Sequence, residues 1–178
     1  MVKKTLLFAL VVLSASLLYA VQQAVSQDAQ APAAAAAPAG ATMTPVQRAD
    51  SAPQGTLKNP YQDADADAVA SGSKLYLSYG CNGCHGGTGG GGMCPPLTNE
   101  IWVYGGDDDT LFRLVAYGSQ NLQGKGYSRK AQEQVVGPMP QMGTLIKTDD
   151  ELWRILVFVR SNYHGDPACK FGCKADSG

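Results

Sequence analysis

The chain has 178 residues, of which 16% are charged, and its formal net charge at pH 7 is −1. This balance excludes a nucleic-acid-binding protein of the usual kind, because neutralising phosphates requires a marked excess of Lys and Arg. Its five cysteines are an odd number, so disulfide pairing within the chain cannot account for all of them.

The N-terminus has the pattern of a bacterial export signal. Lys3 and Lys4 precede a long apolar run. Small residues, Ala24 and Ser26, then occupy the two positions that a signal peptidase reads, so we predict a signal peptide over residues 1–26 and a periplasmic location. A retained membrane anchor is the alternative, although the run is interrupted by serines and is marginal for a bilayer span of about 20 residues. We expect no stable membrane insertion.

The segment that follows, residues 27–57, is rich in Ala and Pro and has no hydrophobic period. It offers too little apolar surface to offset the entropy of ordering it, so we predict a flexible segment. Order is expected to begin near Lys58, with one small folded domain over residues 58–168. Residues 169–178 form a C-terminal tail that contains two cysteines.

Three segments of the domain carry apolar residues at helical spacing: 65–80, 107–119 and 148–163. The first should end at Gly80, and the second should begin at the acidic run Asp107–Asp109 and stop at Gly118. Thr148 and Glu151 form a capping box at the start of the third. No segment alternates apolar and polar residues as a strand would, so the predicted fold class is all-α.

Long Gly- and Pro-rich loops separate these helices, at residues 86–99 and 119–143. Loops of this length are uncommon in a small domain unless something other than their own side chains holds them. A large apolar cofactor would supply the missing core.

The hexapeptide CNGCHG at residues 81–86 allows three interpretations. A redox Cys-x-x-Cys motif needs a βαβ setting, which the helical pattern does not offer, and it leaves His85 without a role. A zinc site could be formed by Cys81 and Cys84 together with Cys169 and Cys173, but it also gives His85 no role.

A covalently attached haem uses all three residues of the motif. The thiols of Cys81 and Cys84 add to the two haem vinyl groups, and His85 ligates the iron from one side. The export signal, the helical pattern and the long loops all agree with this interpretation, so we predict one haem c.

The second axial ligand decides whether such a haem transfers electrons or binds small molecules. Met139 lies between two prolines in VGPMPQMG, in a stiff loop before the last helix, and is the predicted ligand. Met142 is the alternative ligand, and both Met142 and Met93 are otherwise expected to line the haem. His164, the only other histidine, is expected at the surface.

The order of helix, CNGCHG, loop, helix, MPQMG and DELWRILVFVRS resembles the class I monohaem cytochromes c from about Ala66 to Tyr163. A narrower similarity is carried by HGGTGGGGMCPPLTN, WVYGGDDDTLFRLVAYGS and VVGPMPQMGTLIKTDDELW. These segments are similar to cytochrome c-L, the periplasmic electron acceptor of pyrroloquinoline-quinone (PQQ) methanol dehydrogenases, and in particular to the branch that serves lanthanide-dependent enzymes.

The resemblance implies a class I cytochrome c fold, with three to five helices around one haem. It implies ligation by His85 and Met139, and an electron-transfer protein without catalytic residues. The electron would come from the dehydrogenase in a transient complex and pass to a downstream cytochrome or oxidase. The alternatives are an acceptor for another quinoprotein alcohol dehydrogenase and a small haem peroxidase or gas-binding protein.

Several polar and aromatic residues allow two roles each. Trp102, Tyr104 and Arg113 could bind haem propionates, or they could pack in the core and on a solvated helix face. Asp107–Asp109 could bind calcium, but three acids at a helix start more often interact with the helix dipole.

Three cysteines remain outside the motif. Two of Cys94, Cys169 and Cys173 are expected to pair, either across the domain or within the tail. Their spacing does not choose between these pairings.

Overall fold

The computed structural model describes residues 43–133 and 137–173. Within these ranges the chain forms five α-helices and two 3-10 turns, and it has no strand. The helices are α1 Pro45–Ser51, α2 Ala66–Ser78, α3 Asn82–His85, α4 Asp108–Gly124 and α5 Asp149–Ser161, and the 3-10 turns are Met142–Thr144 and Pro167–Cys169. The all-α prediction is therefore confirmed. The predicted signal peptide lies outside the described residues, and none of the described helices has the length and apolarity that a membrane span requires.

Helices α2 and α5 cross in close contact at Gly72. A Cβ atom built on Gly72 would lie 2.0 Å from the carbonyl oxygen of Arg154. Beside this point the rings of Tyr76 and Phe158 pack with their centroids 5.2 Å apart. A residue without a side chain lets the two backbones approach, and the aromatic pair fills the space next to them.

Helix α5 begins where the capping box predicts. The Thr148 hydroxyl accepts from the backbone N–H of Glu151, and the Glu151 carboxylate accepts from the N–H of Thr148 in return. The same carboxylate also accepts a hydrogen bond from the Tyr79 hydroxyl at 2.8 Å. The start of α5 is thereby fixed to the end of α2, directly before the CNGCHG motif.

Helix α4 does not stop at Gly118, as the sequence predicts, but resumes after it and ends at Gly124. Gly118 has φ 74° and ψ 162°, so the helix breaks at this residue only. A Cβ at Gly118 would lie 2.7 Å from the backbone nitrogen of Gln141 and 2.8 Å from the carbonyl oxygen of Met139. The break thus makes room for the Met-Pro loop, and Gly118 is a kink rather than an end.

The prediction of a flexible segment over residues 27–57 is wrong for its last part, because residues 45–51 form helix α1. Thr44 and Gln47 make a capping box at its start, and Ala49 is fully buried. Composition did not show this helix because it carries few bulky apolar side chains. The guanidinium of Arg113 in α4 donates to the carbonyl oxygen of Ala49 at 2.6 Å, and Arg48 of α1 pairs with Asp149 of α5 at 2.6 Å. Residues 27–42 lie outside the described ranges.

The C-terminal tail is closed by a Cys169–Cys173 disulfide. This is the local one of the pairings left open by the sequence. Trp102 Nε1–H donates to the carbonyl oxygen of Cys169 at 3.0 Å, and a Cβ on Gly106 would lie 2.6 Å from the nitrogen of Gly172. The described part of the tail therefore packs against the loop before α4.

Candidate haem site

One turn of helix carries the three reactive side chains of CNGCHG. Gly80, with φ 75°, ends the turn after α2, and Cys81 already has helical dihedral angles. His85 N–H donates to the carbonyl oxygen of Cys81 at 3.0 Å. Positions i, i+3 and i+4 of a helix share one face, so Cys81, Cys84 and His85 lie on the same side of α3. Both cysteines are free thiols.

The imidazole of His85 is oriented by the loop that follows it. Its Nδ1 atom lies 2.9 Å from the carbonyl oxygen of Pro95. A carbonyl oxygen only accepts hydrogen bonds, so Nδ1 is the donor in this contact, which leaves Nε2 as the ring nitrogen that can face a metal. This is the arrangement that fixes the tautomer of a metal-binding histidine. The residues present therefore fit an axial haem ligand, which the sequence predicted, together with a supporting carbonyl, which it did not.

The glycine-rich loop is folded back onto α3 by backbone hydrogen bonds. Gly91 N–H donates to the carbonyl oxygen of His85 at 2.9 Å, and Cys94 N–H donates to that of Cys84 at 3.1 Å. A Cβ on Gly92 would lie 2.8 Å from the same Cys84 oxygen, so only glycine fits there. These contacts hold Pro95 in place to accept from His85.

Two of the free thiols, Cys81 and Cys94, have pKa values above the ordinary one. Burial raises the pKa of Cys81 above its ordinary value. Burial, followed by the hydrogen bond and the charge interaction with Cys84, raises the pKa of Cys94 to about 11. Reactive redox cysteines have lowered pKa values instead. Together with the absence of strands from the described ranges, this disfavours the redox-motif interpretation.

The zinc interpretation fails for a separate reason. Its four-thiolate set needs Cys169 and Cys173, and these two are joined in a disulfide. Within the described part of the chain, no group of three or more His, Cys, Asp and Glu side chains could hold a metal ion.

Met139 is held at both of its backbone groups by Ser119. Its N–H donates to the Ser119 hydroxyl at 3.0 Å, and its carbonyl oxygen accepts from the Ser119 N–H at 3.0 Å. The side chain is partly buried. Ser119 directly follows the kink at Gly118, which frees its N–H from the regular helix pattern. Sequence reasoning missed Ser119, and its position after a mid-helix glycine was the available signal.

The other methionines and His164 are placed differently. Met142 opens the 3-10 turn and packs against the hydrophobic core. Met93 is 61% exposed. His164 is exposed, and its backbone N–H donates to the carbonyl oxygen of Thr98 at 2.6 Å. Met139 has both its backbone N–H and its carbonyl bonded to Ser119, while the carbonyl of Met142 accepts from the N–H groups of Leu145 and Ile146.

The three candidate propionate-binding residues all have protein partners. Arg113 is 5% exposed and uses four N–H donors on Asp109 and on the carbonyls of Ala49, Ala52 and Pro53. Trp102 donates to the tail, as described above. The Tyr104 hydroxyl accepts from Gln123 at 2.6 Å. Arg113 is therefore a structural residue that joins α1 to α4, rather than part of a solvated helix face.

The three acids at the start of α4 also have hydrogen-bond partners in the protein. Asp107 caps the helix by accepting from the N–H of Thr110 at 2.9 Å. Asp108 accepts from the buried Arg160, and Asp109 accepts from Arg113. Each acid has a structural partner, in agreement with the helix-start role rather than a calcium site.

Comparison with known proteins identifies the same region. A family model described as Cytochrome c matches residues 69–162. The chain is 41% identical over 59 residues to the Cbb3-type cytochrome c oxidase subunit CcoP of Cereibacter sphaeroides, over 32% of this chain and 20% of that protein. The match thus spans about a fifth of that relative. A solved structure, cytochrome CL from Methylophaga aminisulfidivorans, aligns with a TM-score of 0.49 at 24% identity, over 76% of this chain and 77% of that one.

Proposed function

Because the chain belongs to the cytochrome c family, it is an electron-transfer protein with a covalently bound haem c, and we propose a specific set of residues that hold this group. Cys81 and Cys84 form the two thioether bonds, and His85 and Met139 are the axial ligands. The haem supplies a one-electron couple at its iron. The protein contributes the ligand geometry and the exclusion of water.

The observation that carries this assignment is that other residues of the protein hold both proposed ligand residues in place. The Pro95 carbonyl orients the imidazole of His85, and Ser119 holds the backbone of Met139. Ligands held in one position by their surroundings keep the same geometry in both oxidation states. A carrier needs this, since any rearrangement adds to the barrier of each electron transfer.

We further propose a periplasmic carrier that accepts single electrons from a PQQ-dependent methanol dehydrogenase of the lanthanide type. The support is the resemblance of the segments around His85, Asp107–Asp109 and Met139 to cytochrome c-L. Oxidation of an alcohol releases two electrons and this domain carries one haem, so two encounters complete each turnover. The reduced protein then passes its electron to a downstream cytochrome or oxidase. A transient interface of modest size suits this exchange.

Stopped-flow measurement of haem reduction tests both the electron-carrier function and the proposed donor. The oxidised haem protein is mixed with a lanthanide methanol dehydrogenase and methanol, and the haem absorbance is followed. We expect the ferrous spectrum to appear quickly, with a rate that saturates in protein concentration, and not to appear when methanol is omitted. If the protein shows a normal c-type spectrum but its haem stays oxidised, the electron-carrier function stands and the methanol dehydrogenase is rejected as its donor. Reduction by another quinoprotein alcohol dehydrogenase would then reassign the partner.

Ligand binding separates the carrier from a peroxidase or gas-binding protein. With Met139 on the iron, carbon monoxide added to the ferrous protein and cyanide added to the ferric protein should leave the spectra unchanged on the timescale of mixing. Rapid binding of either ligand would show a displaceable sixth ligand and contradict the carrier.

A further inference from the structure

Helix α1 lies before the part of the chain that the family model matches, which begins at residue 69. It is nevertheless packed into the folded domain, since both Pro45 and Ala49 are buried. The proposed haem ligation gives this helix no role of its own. Its contacts, however, lead to the Met-Pro loop, residues 137–148, which contains Met139 and runs into α5.

Helix α1 packs directly on the Met-Pro loop at Gly143, in the middle of the 3-10 turn. A Cβ atom built on Gly143 would lie 3.0 Å from Cγ2 of Val46 in α1 and 2.6 Å from the carbonyl oxygen of Ala116 in α4. Gly143 is buried, so the turn is packed between the two helices with no space for a side chain. This contact fixes the loop a few residues after Met139.

The segment of α1 is also bonded to both helices that flank the loop. In α4, the Tyr117 hydroxyl lies one residue before the kink and donates to Asp50 at 2.8 Å. In α5, the N–H of Asp149 donates to the carbonyl oxygen of Met43 at 2.7 Å, and its carboxylate pairs with Arg48 at 2.6 Å. Residues 43–51 therefore join α4 to α5 across the Met-Pro loop.

The short segment from Gly143 back to Met139 is constrained, so a movement at one end reaches the other. Pro140 follows Met139 directly and has a fixed φ angle. The carbonyl oxygen of Met142 accepts from the N–H of Leu145 at 2.9 Å, which closes the turn. Because this segment has little freedom of its own, loss of the packing on Gly143 would also loosen the proposed ligand.

We propose that α1 is a strap, a segment that crosses the Met-Pro loop and holds it closed, and that Val46 is a positioning residue for Met139. The inference rests on the proposed ligation of the haem iron by Met139. Val46 acts on the ligand through Gly143 rather than by contact with the iron. Detachment of α1 would release the loop and the methionine in a local opening that leaves the crossing of α2 and α5 intact.

The slow binding of cyanide to the ferric protein measures this opening. Cyanide takes the sixth position only in molecules whose methionine has left the iron, so its rate at a fixed cyanide concentration follows the population of the open form. Val46→Ala removes both γ-methyl groups from the contact, and we expect it to raise this rate by about fivefold to tenfold. The near-infrared charge-transfer band of the ferric haem should also disappear at a lower temperature than in the wild type.

Val69→Ala provides the matched control. Val69 is likewise a helical valine that is partly buried against the hydrophobic core, but it lies near the start of α2. Both variants lose the same atoms, and the free energy of unfolding is measured for each of them. Val69→Ala should bind cyanide within about twofold of the wild-type rate, even where it lowers the stability of the whole domain.

The strap and the ligation can fail separately. If the wild type lacks the near-infrared band, its iron has no methionine ligand, and both proposals are rejected. If the wild type shows the band but Val46→Ala binds cyanide no faster than Val69→Ala, the ligation stands and the strap is rejected. Such a result would mean that the loop opens only with the whole domain.

Discussion

Ser119 binds both backbone polar groups of Met139, one through its hydroxyl and one through its own N–H, each at 3.0 Å. The contact exists because α4 breaks at Gly118, which opens the helix at the point where the Met-Pro loop passes. One serine thus fixes the backbone of the proposed axial ligand.

Removing the Ser119 hydroxyl should loosen the ligand without unfolding the protein. Ser119→Ala leaves the Met139 N–H without its partner, at a cost of about 1 kcal/mol. We expect the near-infrared charge-transfer band of methionine-ligated ferric haem to disappear at a lower temperature than in the wild type. Ser161→Ala, which removes a hydroxyl that bonds to the carbonyl of Phe158 at the end of α5, is the control. Equal melting of the band in both variants would show that Ser119 has no special role.

The crossing of α2 and α5 should not tolerate a methyl group at Gly72. A Cβ there would lie 2.0 Å from the carbonyl oxygen of Arg154, so Gly72→Ala must separate the helices. We expect the free energy of unfolding to fall by about 1–3 kcal/mol or more, measured by denaturant titration of the haem protein. Gly124→Ala has no heavy atom within 4 Å of its new Cβ and should be neutral or slightly stabilising. A similar loss of unfolding free energy in Gly72→Ala and Gly124→Ala would show that the close contact at Gly72 is not the cause.

The buried ion pair between Asp109 and Arg113 should make stability depend on acid pH. Burial alone would raise the pKa of Asp109, but the Arg113 guanidinium, the N–H groups of Gly55 and Leu57 and the Tyr127 hydroxyl together hold it below the ordinary value of 3.8. Since the folded pKa lies below the unfolded one, this stabilisation is complete above about pH 4 and is lost as the pH falls further.

Asp109→Asn tests this dependence. The unfolding free energy of the variant, measured between about pH 2.5 and 7, should fall less steeply towards acid pH than that of the wild type. At neutral pH the variant should be less stable by about 3–5 kcal/mol, because Arg113 is left buried without its counter-charge. Asp67→Asn, at an exposed position in α2, should follow the wild-type curve. An unchanged acid slope in Asp109→Asn would refute the role of this pair.

The tail disulfide should matter little to the haem site. Cys169 and Cys173 close a loop of only about five residues, for which the chain-entropy estimate is roughly 2 kcal/mol. Replacing both by serine should lower the unfolding free energy by no more than this amount and leave the haem spectrum unchanged. A changed spectrum would mean that the tail, which contacts Trp102, supports the haem pocket directly.

Local signals were sufficient to predict several parts of the fold. The capping box of Thr148 and Glu151, the end of the first long helix before Gly80, and the CNGCHG turn depend on neighbours within four residues. Such interactions can be read from spacing alone. These elements position His85, so one side of the candidate site followed from sequence.

The parts that were missed depend on contacts between distant residues. Helix α1 is fixed by Arg113, which lies more than 60 residues further along the chain. The carbonyl of Pro95 and the hydroxyl of Ser119 act on residues 10 and 20 positions away, respectively. Gly118 shows the same limit, since a glycine that ends a helix and one that makes room for another loop look alike in sequence.

The central claim is that Met139, held by Ser119, is the second axial ligand of the haem. The most direct measurement compares the near-infrared charge-transfer band and the midpoint potential of the wild type, Met139→Leu and Met142→Leu. Methionine ligation raises the potential, so we expect Met139→Leu to lose the band and lower the potential, while Met142→Leu keeps both. Loss of the band in Met142→Leu and its retention in Met139→Leu would contradict the claim and assign the iron to the neighbouring methionine.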